Sequence, residues 1–387
     1  MPTRVIRTVG EWEAERTAWE EIYTSGHHTP FQRYEWLSGW WAYAGAGRLH
    51  IIQVDDDAGR ALGFAPFFVR KRYYGWPLPH LAFIGTKRAD YLDFLVRDGA
   101  EAVFFRELFH ALQRADQPLV LVDLRDVPES SANIPWVERE AGRQAWFCVT
   151  DRCSVCVACR LPADWRTFLR SLSARNQRHV RYDRRNLARR CTAAFRDCRA
   201  PHDVQQGFRD MVRIYRERWA GSVDTTRFAD DAAVEFEAAL YLDAAKRGEL
   251  RLWLLDVDGE PAACVSGFVH GRTLMIDTVA HAPTYREYSA GNVLIGHVIE
   301  ASIAEGFTEV DFTRGAEQYK YAWGGEERRN VHLRLCRSYT TIVRAIRAEQ
   351  TYLTAARSST LRRTLALARR VRAAGIMALF SGAALTS

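Results

Sequence analysis

The feature that most constrains this 387-residue chain is a repeat of its own pattern. Leu49 to Val69 reads LHIIQVDDDAGRALGFAPFFV, and Leu250 to Val269 reads LRLWLLDVDGEPAACVSGFV. Each is an apolar run, an acidic turn with Gly, and a second run rich in small residues, which is the pattern of a β-hairpin. A second pair follows in the same order. Phe104 to Arg125 (FFRELFHALQRADQPLVLVDLR) and Val293 to Arg314 (VLIGHVIEASIAEGFTEVDFTR) each show a helical apolar period and then a strand, ending in Val-Asp-Leu-Arg or Val-Asp-Phe-Thr-Arg. Two hairpin–helix–strand units in one order predict a duplicated α/β domain. The length agrees, because a single core rarely grows past about 250–300 residues.

The stretch between the copies reads as helical. Pro162-Ala163-Asp164 marks a helix start with Asp164 as N-cap, running on through Arg190. Further helices are expected over His202 to Trp219 and Asp230 to Arg247. Trp146 to Leu161 reads as extended and as a crossing between the domains. Strands are expected at Thr273 to Ala280 and, last, at Val331 to Cys336. The remaining tail has a helical, amphipathic pattern broken near Ser358-Ser359 and Gly375. The resulting division is residues 1–160, 161–339 and a tail over 340–387.

Charge separates that tail from the rest. The formal net charge is +7. Residues 340–387 hold eight arginines and one acid, Glu349, so residues 1–339 sum to zero. A neutral body with a basic tail argues against a DNA-coating protein, whose basic face belongs to the folded domain. The tail opens three readings: a helix docked on the body, attachment to an anionic membrane surface, or binding of cyclic di-GMP. Met1 to Tyr23 has no apolar signal region, and no window reaches the ~18 apolar residues of a membrane helix. With eight scattered cysteines, these features predict a cytoplasmic protein with free thiols, peripheral at the inner membrane if the tail binds lipid. Cys153, Cys156 and Cys159 have no ligand-spaced His or second Cys pair after them. They read as a strand rather than a metal site.

A wider set of residues points to a family. Phe31-Gln32 with Trp36 and Trp40-Trp41, Phe83-Ile84-Gly85 with Asp90-Tyr91, an Arg-rich helix, Tyr288-Ser289-Ala290-Gly291, Asp311-Phe312-Thr313-Arg314-Gly315, Tyr319-Lys320 and Trp323-Gly324 follow one another in order. Over roughly residues 25–335 the chain resembles the CelD/BcsL-like acetyltransferases of cellulose and exopolysaccharide biosynthesis. These belong to the GCN5-related N-acetyltransferase (GNAT) superfamily and share the layout of FemAB-type transferases. The resemblance implies an α/β (α+β) fold of two tandem GNAT-like domains with a C-terminal helical tail, the first domain degenerate and the second catalytic. It implies acetyl-CoA as cosubstrate and N-acyl transfer to an amino-sugar or related small-molecule amine. A silent ligand-binding regulator and an aminoacyl-tRNA-dependent transferase remain as alternatives.

Acyl transfer to an amine needs a phosphate cradle, a carbonyl-polarising donor, a base and an acid for the leaving thiolate. Arg286, Ser289, Ala290, Gly291 and Asn292 stand between an expected strand and an expected helix, where the superfamily seats the pyrophosphate on backbone N–H groups. Ser289 stands where the superfamily pattern has its first Gly. The resemblance assigns Tyr319, just after the Asp311 strand, as the acid. Lys320, one of four lysines in an Arg-dominated chain, suggests a phosphate contact or proton transfer. Asp311 alternates with apolar neighbours, so it faces a strand end or cleft as a base, an orienter of Arg314 or its ion-pair partner. Asp277 is the other candidate base, because a carboxylate among Leu274, Met275 and Ile276 should have a raised pKa. Asp90 and Tyr91 either shape the acceptor site or cap a loop. Arg175 and Arg178 open a one-sided arginine row (175, 178, 181, 185, 189) that is either a wall for a polyphosphate or a solvated face.

Overall fold

The computed structural model describes residues 2–26, 28–114, 121–220, 227–228 and 230–357. The first half contains β1 (Thr3–Ile6), α1 (Val9–Ala14), α2 (Arg16–Ser25), α3 (Tyr34–Ala44), β2 (Arg48–Asp55) and β3 (Ala61–Arg70). It continues with β4 (His80–Phe83), β5 (Leu95–Val96), α4 (Glu101–Arg114), β6 (Leu121–Pro128), α5 (Ile134–Arg143) and β7 (Phe147–Arg160). The second half holds α6 (Trp165–Ser171), α7 (Ala174–Arg190), β8 (Ala193–Cys198), α8 (Pro201–Arg218), α9 (Asp231–Lys246), β9 (Leu250–Val257) and β10 (Glu260–His270). Then come β11 (Thr273–His281), α10 (Ala290–Ala304), β12 (Glu309–Arg314), α11 (Gln318–Ala322), β13 (Glu326–Cys336) and α12 (Tyr339–Arg357).

The repeated sequence blocks become equivalent elements. Hairpins β2–β3 and β9–β10 correspond, as do the helix–strand units α4–β6 and α10–β12. One continuous sheet runs in the order β1-β2-β3-β4-β6-β13-β7-β12-β11-β10-β9-β8, with β5 paired to β3. The two halves occupy mirrored places about the central β13–β7 pair, and they exchange strands there. β13, from the second half, lies on β6 of the first; β7, from the first, lies on β12 of the second. The expected boundary at residue 160 is the end of β7. By sequence that strand belongs to the first half, and by pairing it belongs to both.

Each half also contains one short parallel pair: His80, Leu81 and Ala82 against Leu121, Val122 and Asp123, and Thr273, Leu274 and Met275 against Glu309, Val310 and Asp311. Beyond these three residues the strands part. In the second half that parting lies at the border with the first.

Aromatic packing closes the border. Trp36 of α3 meets Phe268 of β10 edge-on at 5.4 Å, and Tyr43 stacks on Phe236 of α9 at 5.4 Å. Gly39 permits this approach, since a Cβ there would lie 3.1 Å from the Phe236 ring. The helical Trp spacing of residues 36–41 is thus mainly core.

Two expectations change. The helix foreseen from Asp164 to Arg190 is broken at Leu172, whose backbone is extended, and Ser173 caps a new helix by accepting from Asn176 N–H at 3.2 Å. Asp164 does cap α6, accepting from Thr167 N–H at 2.9 Å. The last strand is longer than expected, because Glu326 to Asn330 also pair with β7.

The described part of the tail, α12, is docked. Ile342, Ala345 and Ala348 are buried against Tyr73, Leu121 and Cys336. Glu349 accepts from Arg125 at 2.5 Å and from Arg334. The expected breaks near Ser358-Ser359 and Gly375 lie outside the described residues. No described helix is long and apolar enough to cross a membrane.

Candidate active site

Strands β11 and β12 diverge after Met275 and Asp311, and a tight turn follows β11. A 3-10 turn over Pro283–Tyr288 leads to Ser289, whose backbone is left-handed (φ 54, ψ 32), and α10 starts at Ala290. This is the conformation glycine adopts freely. Serine in place of the pattern's first Gly therefore leaves the turn intact. The Ser289 side chain makes no cap bond, so the first N–H groups of the 15-residue helix have no side-chain acceptor. Gly291 is buried, and a Cβ there would sit 3.2 Å from His281 Nδ1. Burial and the nearby Arg218 and Arg286 hold His281 below its usual pKa. Exposed Arg286 stands beside the N-terminus of α10, where the helix dipole is positive. Asn292 departs from expectation in its side chain. Its amide donates to Asp183 at 2.6 Å and accepts from Trp323 Nε1 at 3.0 Å, tying α7 and α11 to α10. Only its backbone remains for a ligand.

Asp311 and Tyr91, from opposite halves, meet directly. The Tyr91 hydroxyl donates to Asp311 Oδ2 at 2.8 Å, and Thr313 N–H donates to Oδ1 at 2.7 Å. Burial pushes the Asp311 carboxyl up to about 6. The expected pairing with Arg314 does not form. A bulge between Asp311 and Arg314, with Thr313 at φ 54, turns Arg314 onto Asp90 (3.1 Å) and Asp126 (3.0 Å) instead. Because the folded carboxyl binds its proton more tightly than the free value of 3.8, its contribution to stability is full at acid pH and is lost as pH rises through about 6. Asp311→Asn is expected to match wild-type stability near pH 4 and exceed it above pH 7, read as urea midpoints. A constant difference across that range would contradict this.

Asp277 reverses the sequence expectation. Its carboxylate is buried, but Arg88 lies 3.1 Å away, Arg227 is paired with it, and Tyr241 donates at 2.6 Å. The two guanidiniums hold its pKa well below the ordinary carboxylate range, so it stays ionised and is no base near neutrality. Lys320 is also spent elsewhere. Its buried ammonium donates to the carbonyls of Thr313, Arg314 and Gly315 (3.3, 2.8 and 3.1 Å) and pairs with Glu317 at 2.9 Å. It clamps the β12–α11 turn and has no proton free for phosphate or for transfer. Tyr319, beside it, packs edge-on to Phe312 at 6.1 Å, and burial raises its hydroxyl pKa. Arg175 and Arg178 are exposed on α7 and do not line the cleft described next.

That cleft has a volume of about 620 Å3 and lies between the halves. α3 contributes Trp40 and Tyr43; β3 contributes Phe68 and Arg70; the segment after β4 contributes Thr86, Lys87, Arg88 and Asp90. Phe236, Glu237, Arg227, Asp277, Thr313 and Arg314 come from the second half. The parted strands β11 and β12 thus open into it through Asp277 and Thr313. Arg88 bridges the halves, pairing with Glu237 at 2.5 Å and with Asp277 while lying over Trp36 at 4.9 Å. Sequence reading missed Arg70, Arg88, Arg227 and Glu237. Only Glu237 carried a local signal, as an acid within the apolar helical stripe Ala233, Leu240, Tyr241 and Ala244.

Comparison with known proteins agrees with this architecture. A family model described as "Acetyltransferase (GNAT) domain" matches residues 174–321. The crystal structure of FemX is similar over 86% of this chain and 97% of its own, with 12% identity and a TM-score of 0.56. L-PGS from Bacillus licheniformis is similar over 85% and 94%, with 11% identity and a TM-score of 0.53. A conserved protein of unknown function from Bacteroides thetaiotaomicron is similar over 87% and 99%, with 15% identity and a TM-score of 0.54. No curated protein sequence matches the chain. The fold is GNAT-like and mixed α/β. The matches are to this broad class, not to the narrower exopolysaccharide family.

Proposed function

We propose that the chain is an acyl-CoA-dependent N-acyltransferase, with the donor at the start of α10 and the amine acceptor in the cleft between the halves. One observation carries this reading. Asp277 of β11 and Thr313 of β12 line the cleft just past the point where the two strands part, and β11 runs on into the turn that opens α10. Acetyl-CoA, when bound, supplies the activated acyl carbonyl. The backbone N–H groups of Ala290, Gly291 and Asn292 and the Arg286 side chain would hold its pyrophosphate. Tyr319 keeps its proton through neutral pH because it is buried, which suits an acid for a leaving thiolate. Lys320 fixes the turn that carries Tyr319. The acceptor class we favour is an amino-sugar or related precursor of a cell-surface polysaccharide.

Calorimetric titration with acetyl-CoA, followed by thiol-release assays with glucosamine-type amines, tests the reading. No acetyl-CoA binding at millimolar ligand would refute it. Gly291→Val is expected to weaken acetyl-CoA binding at least about tenfold, since its side chain would crowd His281 and cover the N–H groups. Circular dichroism would show the fold retained.

A second reading has one specific support. Arg175, Arg178, Arg181, Arg185 and Arg189 are exposed along α7, and the acid within the row, Asp183, is turned inward to Asn292. Such a face suits a polyanion, and an aminoacyl-tRNA donor would use it. Titration with aminoacyl-tRNA in place of acetyl-CoA separates the two donors.

A further inference from the structure

Among the described residues, the cleft between the halves is lined by five cationic side chains and three carboxylates, and each of these carboxylates is paired. Glu237 and Asp277 hold Arg88 and Arg227, and Asp90 holds Arg314. Among the described residues, one cationic side chain at the cleft stands without a carboxylate, and a paired one keeps one donor unused. Arg70, at the end of β3, pairs with no carboxylate. Arg227 gives its terminal nitrogens to Asp277, Glu237 and Tyr241, yet its Nε–H is buried without an acceptor. Beside Arg70 the lining turns apolar. Phe68, two residues back on the same strand face, packs against Trp40 at 5.5 Å, and the stacked Tyr43–Phe236 pair continues the surface.

An unpaired guanidinium beside an aromatic wall favours an anion carrying an apolar body. We infer that the cleft selects an acceptor in which a phosphate or carboxylate is joined to an apolar or aromatic group. The anion is received by Arg70, and the body rests against Trp40, Tyr43, Phe68 and Phe236. This rests on the reading of the cleft as the acceptor site, and it adds to the amino-sugar reading that the acceptor carries an anionic group and an apolar body. It also accounts for the lack of a free carboxylate there. An acceptor amine entering a lining with more cations than anions is pushed toward its neutral, nucleophilic form, so no ionised base has to be kept beside it.

The test uses the whole chain without any acyl donor, so its result does not depend on whether acetyl-CoA binds. Calorimetry compares phenyl phosphate, phenylacetate, phenol and inorganic phosphate. Phenyl phosphate or phenylacetate should bind at least about tenfold more tightly than phenol or phosphate alone, and which of the two binds identifies the anionic group. Arg70→Ala should weaken that binding about tenfold, and Arg70→Lys should recover part of it. Phenol binding as well as the anions, no binding by either anion, or an unchanged affinity in Arg70→Ala would overturn the proposal. Loss of acetyl-CoA binding with this pattern intact would instead count against the donor assignment alone.

Discussion

Replacing Arg88 by alanine is expected to destabilise the protein by about 3–5 kcal/mol, the usual cost of leaving a buried ion pair half made. Arg88 comes from the segment after β4, yet its partners Glu237 and Asp277 belong to the other half and are almost fully buried. Without it, two buried carboxylates share Arg227 alone. Against a total stability of ~5–15 kcal/mol such a loss is large. Urea denaturation measures it, and a change under about 0.5 kcal/mol, the range of an ordinary surface substitution, would show that Arg88 is no clamp. The pH dependence has a definite sign. Asp277 is held below its free value of 3.8, so its contribution is present above about pH 4 and fades as pH falls further. Wild type should lose stability below pH 4 more steeply than Arg88→Ala, which has already lost part of that contribution. Combining Arg88→Ala with Glu237→Gln should cost less than the two changes added, because one network is broken twice.

Tyr319→Phe is expected to lower kcat about a hundredfold while leaving acetyl-CoA affinity unchanged, the range for removing one acid in proton transfer. The phenyl ring keeps the packing on Phe312, so stability should hold. Only the hydroxyl, kept protonated by burial, is lost. Because its pKa is raised above the usual 10, wild type should show no loss of rate from Tyr319 ionisation up to pH 10. Steady-state kinetics with a competent amine decide the matter, and an unchanged kcat would remove Tyr319 from the chemistry.

Much of this architecture was legible residue by residue. The two repeated blocks became matching hairpins and matching helix–strand units, because apolar periods of 2 and 3.6 are local properties of a chain. The Asp164 cap and the turn before α10 were legible for the same reason: capping and turn chemistry involve neighbours within a few residues. The sequence set Arg314 beside Asp311, but at the border between the halves Arg314 pairs with Asp90 and Asp126, and Tyr91 holds Asp311. Lys320 looked available because its rarity is visible in the sequence while three carbonyls folding back onto it are not. Asp277 looked like a base because its strand neighbours are apolar. Its pKa is set by Arg88 and Arg227, which lie 189 and 50 residues away along the chain.

The sequence alone therefore determined the elements, their duplication and the backbone turn of the candidate donor site. Tertiary structure decided the exchange of β7 and β13 between halves, the cleft between those halves, and the protonation state of the acids near it. The physical reason is range. Backbone periodicity and capping act over a few residues. Charge pairing and desolvation act through space, and in a buried cleft they depend on which distant side chains the fold sets beside each carboxylate.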